Sequence, residues 1–206
     1  MNNKLHCFNK LEELFSLYDK VRQAVILLEN FSDERKMYIA PINQLRSALD
    51  HIFKAINFNE NIDQCDYEIK EAKEHLDRAG YDALELLAAN IGITIVDKLK
   101  RYNTKTITEV FPYYYTTIKP QLTDIKSIVA SLRSEKDIDT NKSFSAYFEQ
   151  ISVLIEIDKK VDKMIPSLDE FERKNKKEKL RTWGISILSS IISGLSVAVI
   201  MFFSTK

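Results

Sequence analysis

Residues 183–203 read WGISILSSIISGLSVAVIMFF, and how this stretch is read decides where the rest of the chain stands. It contains no charged residue. As a helix, about 21 residues rising about 1.5 Å each extend roughly 30 Å, the thickness of a bilayer's hydrocarbon core. Trp183 at one edge and Phe202 and Phe203 at the other sit where aromatic rings settle at membrane–water interfaces. A C-terminal core helix would instead carry a polar stripe of charges on its outer face. The sequence therefore predicts a transmembrane helix over 183–203, followed by a short tail, 204–206.

Just upstream, ERKNKKEKLR supplies Arg173, Lys174, Lys176, Lys177, Lys179 and Arg181, while only Lys206 follows the apolar run. The positive-inside rule keeps the N-terminal part in the cytoplasm and places a single pass in the inner membrane. The same basic run faces anionic lipid, with about 1 kcal/mol of attraction per near-surface charge; topology signalling explains it equally well. Residues 169–182 form a basic juxtamembrane stalk, either helical or a linker. MNNKLHCFNKLEELF meets charge at once and has no apolar core, so a secretory signal is not expected there. Cys7 and Cys65 lie far apart without paired spacing, which predicts reduced thiols in a reducing compartment and no disulfide framework. The two cysteines and three histidines show no zinc-ligand spacing, and no metal or cofactor is expected.

Residues 1–168 read as one cytoplasmic all-α bundle. Lysines and arginines number 30, as do aspartates and glutamates, so a general nucleic-acid footprint is absent. Gly80 and Gly92 are the only glycines in this part, too few turn residues for a strand-rich fold. Leu11, Leu14, Leu17, Val21, Val25 and Leu28 step at helical spacing, as do Ile42, Leu45, Leu49, Ile52 and Ile56 after Pro41. Ile69, Ala72, Leu76, Ala79, Ala83 and Leu86 continue the rule, and NFNENID predicts a helical hairpin turn between them. IGITIV at 91–96 reads as helix for want of a partner strand. Thr106 and Glu109 have the spacing of a capping box, and Pro112 and Pro120 are expected to interrupt the helix that follows. FPYYY at 111–115 reads as packing rather than a ligand platform. A last helix from about Asn141 is expected to break or bend at Pro166.

The apolar run has a polar side. At about 100° per residue, Ser186, Ser189, Ser190, Ser193, Gly194 and Ser196 fall within an arc of about 160°. Ser186, Ser190, Gly194 and Ala198 also repeat at the small-xxx-small spacing that lets backbones approach in lipid. Three readings stay open for this face: self-association through close packing, a hydroxyl-lined channel in a larger assembly, or a plain anchor whose serines bond back to their own helix.

RSALDH at 46–51 has the form Arg-x4-His and resembles the ribonuclease motif of HEPN domains, all-helical modules of bacterial toxin and antiviral systems. The resemblance implies a composite RNA-cutting site from two protomers, with Arg46 stabilising charge and His51 handling a proton. The bottom-up alternative pairs Arg46 with Asp50 four residues on, because about 140° of helix separates Arg46 from His51. The whole architecture also resembles membrane-anchored HEPN-like accessory proteins of RNA-targeting defence systems. That implies assembly and damage at the inner membrane.

A second polar group, Glu71, His75, Arg78 and Asp82, falls within about 60° on the wheel and flanks the apolar face. It reads either as a salt-bridged flank or as a partner-binding surface, with Arg46 brought level by a turn near Asn59. Gly80 would let a neighbouring helix come close. Together these readings describe a tail-anchored helical protein that self-associates at the inner membrane and perturbs it on assembly. The alternatives are a membrane-tethered ribonuclease and a non-enzymatic adaptor for a cytoplasmic protein or RNA partner.

Overall fold

The structure, a computed structural model, describes residues 2–31, 37–58, 61–135 and 140–204, with side chains over 4–31, 37–58, 61–132 and 144–194. The described residues contain no strand. In chain order the helices are α1 (Asn2–Asn30), α2 (Ile39–Asn57), α3 (Ile62–Lys100), α4 (Thr104–Val110), α5 (Lys119–Glu135) and α6 (Thr140–Ser204), with a π-helical segment at Tyr114–Ile118 before α5. The expected all-α class is what the chain adopts.

Local chemistry explains most boundaries. Pro41 lies in the first turn of α2, where a missing N–H costs nothing. Asn61 caps α3 by accepting from the Gln64 amide at 3.3 Å, and Lys98 and Lys100 suit the negative end of that helix. IGITIV lies within α3, as expected. The capping box does not form at Thr106. Asn103 caps α4 instead, accepting from the Thr106 amide at 2.9 Å, which leaves the Thr106 hydroxyl for α6. Pro112 ends α4, since the residue before a proline avoids helical geometry.

The other two prolines do not interrupt. Pro120 has no N–H for the carbonyl four residues back, and its ring presses on that carbonyl; the wider π turn at Tyr114–Ile118 gives it room. Pro166 lies inside an unbroken α6. It is exposed there, so the carbonyl it deprives of a partner faces water.

α1, α2 and α6 pack on α3, whose Ala72, Leu76, Ala79, Ala83, Leu84, Leu87 and Ile91 are buried. α4 packs on α6, and α5 on α6 and the π-helical segment. α1 runs parallel to α3, with Cys7 beside Cys65 and Val21 beside Gly80. α2 runs antiparallel, pairing Gln44 with His75 and His51 with Glu68. α6 lies on the other side, again parallel, with Tyr81 stacked on Phe144 at 5.0 Å and Lys98 meeting Asp158 at 2.7 Å. Gly80 is the crossing point: a Cβ there would collide with the Phe144 ring and come within 3.1 Å of Val21. Phe111 and Tyr114 are buried as packing residues, while Tyr113 is exposed.

Against the expectation of two cysteines far apart, Cys7 and Cys65 meet in the core, with their Cα atoms 6.2 Å apart, within the range a disulfide can bridge. Sequence spacing hid the pair because the parallel register of α1 on α3, not proximity along the chain, brings them together.

Candidate functional site

The first candidate region is a polar seam between α2 and α3. Pro41, Gln44, Ala48, His51 and Ala55 line the side of α2 turned to α3, and the alanines let the helices close tightly. Between them, His51 Nδ1 lies 2.6 Å from Glu68 Oε2, and His75 Nδ1 donates to Gln44 Oε1 at 2.7 Å. The two imidazoles stack with centroids 5.3 Å apart. Glu68 is buried. Burial, reinforced by Arg78 and His51, holds His75 below the usual histidine value of 6.5 and so favours its neutral form. A carboxylate on one ring nitrogen orients the other, an arrangement able to hold or pass a proton.

Arg46 does not join this seam. It is exposed on the opposite side of α2 and lines a groove against α1, while His51 faces α3. Its expected place opposite His75 belongs to Gln44, because residues 44, 48, 51 and 55 form the inward stripe of α2 and 46 does not. In the second group, Arg78 pairs with Glu74 at 2.9 Å and Lys70 approaches Glu74 at 4.0 Å. Glu71 and Asp82 are half-buried on the same flank. Sequence reasoning missed both Glu68 and Gln44. Their signal was position: each falls on the buried stripe of its helix, where a polar residue needs a partner. Among the described residues no group of three or more histidine, cysteine, aspartate or glutamate side chains is placed to hold a metal ion.

A second region fastens the start of the stalk. Asp169 accepts from the Tyr102 hydroxyl at 2.7 Å and from Arg101 at 3.2 Å. Glu172 accepts from Asn103 at 2.7 Å and from the Thr106 hydroxyl at 2.5 Å. One turn below, Lys98 bridges Asp158 and Asp162, both at 2.7 Å. Burial alone would lower the Lys98 ammonium, but its two carboxylate partners outweigh it and hold it above 10.5. Burial, with Asp169, raises the Tyr102 hydroxyl above 10.0.

Beyond Glu172, α6 leaves the bundle. Arg173, Lys174, Lys176, Lys177, Lys179 and Arg181 are exposed, with Lys174 paired to Glu170 at 2.9 Å. Trp183 is 68% exposed, and Ile185, Leu188, Ile191 and Ile192 are exposed around the helix. Ser186, Ser189, Ser190, Ser193 and Gly194 are exposed too, and the Ser190 hydroxyl donates to the Ser186 carbonyl at 2.9 Å. The Ser196 side chain and those of Phe202 and Phe203 lie outside the described residues. Among the described residues one helix, α3, is long and apolar enough to cross a membrane, and half of its apolar window is buried in the bundle. The uncharged run 183–203 extends beyond the described side chains, which end at Gly194.

The chain matches no protein-family model, no curated protein and no solved structure. Fold and site together define a class: an all-α bundle whose last helix continues, clamped at its base, past the core it helps to build.

Proposed function

We propose that the chain is a membrane-anchored helical protein that self-associates at the inner membrane and perturbs the bilayer on assembly, with its bundle on the cytoplasmic side. The observation that carries this reading is the exposed outer part of α6, where Trp183, Ile185, Leu188, Ile191 and Ile192 stand clear of the bundle behind six basic residues. An uncharged helix that exposes so many large apolar side chains needs lipid or protein around it. The basic run and Trp183 match the chemistry of an anionic headgroup layer. Near the base of this segment, an open cleft of about 720 Å³ is lined by Lys105, Lys176, Lys179 and Trp183 together with Glu172 and Glu178, so it adds little to the charge of the basic run.

A non-enzymatic adaptor is the second reading. It is favoured by the Ser190 hydroxyl, which bonds to its own helix as in a plain anchor. The ribonuclease alternative gains little, because Arg46 and His51 face different neighbours within one chain.

Forced assembly in cells, followed with a voltage-sensitive dye, separates the first two. Depolarisation that disappears when Ser186, Ser190 and Ser193 are replaced by leucine, with membrane localisation retained, supports the effector. Unchanged membrane potential leaves the adaptor. Cys7 and Cys65 lie close enough to bridge, so their redox state reports the side on which the bundle stands, reducing compartments keeping such thiols reduced. Alkylation in intact cells tests this directly: two labelled thiols per chain agree with the cytoplasmic side, and none places the bundle on the oxidising side.

A further inference from the structure

α1 and α2 both pack on α3 but touch each other little, and an open groove of about 760 Å³ runs between them. Its walls are apolar: Phe8, Phe15 and Tyr18 on α1, and Leu45, Leu49 and Ile56 on α2. Phe8 and Phe15 are 70% and 72% exposed, large rings that a monomer gains nothing by presenting to water. Among the described residues two charged side chains border this groove, Glu12 from α1 and Arg46 from α2.

The heights of these two residues along the bundle restrict what can fill the groove. The Cys7–Cys65 offset of 58, carried along α1, sets Glu12 level with Lys70 on α3. The Gln44–His75 and His51–Glu68 pairs set Arg46 level with Lys73. Three residues of helix are about 4.5 Å, so Glu12 and Arg46 stand at nearly the same height on opposite walls.

We infer that the groove is the interface of a homodimer whose two-fold axis runs along the helices, with Glu12 of each copy paired to the partner's Arg46. A rotation about that axis preserves height and sets α1 of one copy against α2 of the other, which joins opposite charges twice. Turning the second copy end over end instead sets Glu12 on the partner's Glu12 and Arg46 on the partner's Arg46, and like charges reject it. The aromatic walls supply the apolar centre of the contact and the ion pairs fix its register. In this parallel arrangement both α6 helices leave the dimer in the same direction, as two chains anchored in one membrane must. The inference deepens the assembly part of the proposed function, but the groove and its charges stand without the anchor.

The test measures self-association of the full-length chain in detergent micelles by sedimentation equilibrium. Glu12→Arg and Arg46→Glu should each raise the dissociation constant about tenfold or more, and the double exchange should return it to within about threefold of the starting chain. Phe15→Asp should abolish the dimer with helix content unchanged, because Phe15 lies outside the core and its ring contact is with exposed Tyr18 one turn along α1. Leucine at Ser186, Ser190 and Ser193 should leave the dimer intact. A monomeric starting chain, association indifferent to charge reversal, or no rescue by the double exchange overturns the inference. A chain that stays water-soluble yet dimerises through the groove defeats the membrane anchor and leaves this interface standing; an anchored chain whose charge variants associate normally does the reverse.

Discussion

Leu84, in the middle of α3, is fully buried, whereas Leu188, in the outer part of α6, is 61% exposed. Both lie in apolar helices of bilayer-spanning length. The difference lies in their neighbours. α3 has α1, α2 and α6 around it, and its polar residues are set where α2 can answer them, as His51 answers Glu68. The outer part of α6 has no such neighbours among the described residues, and its exposed apolar side chains cover all of its circumference except the serine face. Hydrophobicity along a chain therefore states only that cover is required; the fold decides whether protein supplies it.

The largest effect should come from exchanging the demands of the two helices. Leu84→Ala should cost about 2–5 kcal/mol in chemical denaturation by opening a cavity in a packed core, while membrane fractionation stays unchanged. Leu188→Lys with Ile192→Lys should leave bundle stability within about 0.5 kcal/mol but empty the membrane fraction, since each charge costs about 2.5–3.5 kcal/mol at the centre of a bilayer. If the double-lysine chain stays in the membrane pellet after alkaline extraction, the two helices do not differ as described.

Next comes Gly80, where α1, α3 and α6 converge. Gly80→Ala should destabilise by about 1–3 kcal/mol despite alanine's better helix propensity, because the Phe144 ring is buried, stacked on Tyr81 and unable to yield. A Cβ added at Gly92 or Gly194 would meet no atom within 4 Å, so alanine there should be neutral or slightly stabilising in the same assay. A smaller effect is expected at the clamp. Glu172→Gln should weaken the bonds from Asn103 and Thr106 by about 1 kcal/mol together, lower global stability by no more than that, and speed amide exchange most in α4.

The smallest effect is a pH dependence. His75 is held below 6.5 by burial, then by Arg78 and His51, with Glu71 and Glu74 opposing and Gln44 bonded to its ring. The unfolded chain binds that proton more readily. The stabilisation is therefore complete above about 6.5 and is lost as pH falls through the lower folded-state value. His75→Gln should flatten that limb of a stability–pH profile. No change in slope would mean that His75 is not buried in solution.

Helical periodicity, the hairpin between α2 and α3, and the close approach at Gly80 were all legible in the sequence, since they depend on spacing within one segment. The height of the hairpin pairing was legible to within about a residue, because a short turn fixes it. The rotation of α2 about its own axis was not, and that is why Arg46 was expected where Gln44 stands. Pro120 and Pro166 misled for a related reason: a proline's local penalty can be absorbed by a π turn or by water, and spacing does not show which is at hand.

The sequence by itself determined an all-helical chain with a long uncharged C-terminal run, because both follow from the identity and period of neighbouring residues. Only the tertiary structure decided which apolar helix is covered, which cysteines meet, and which side chains share a seam. Those outcomes depend on how separate helices slide and turn against one another, and the packing energy that sets slide and turn belongs to pairs of helices rather than to either one alone.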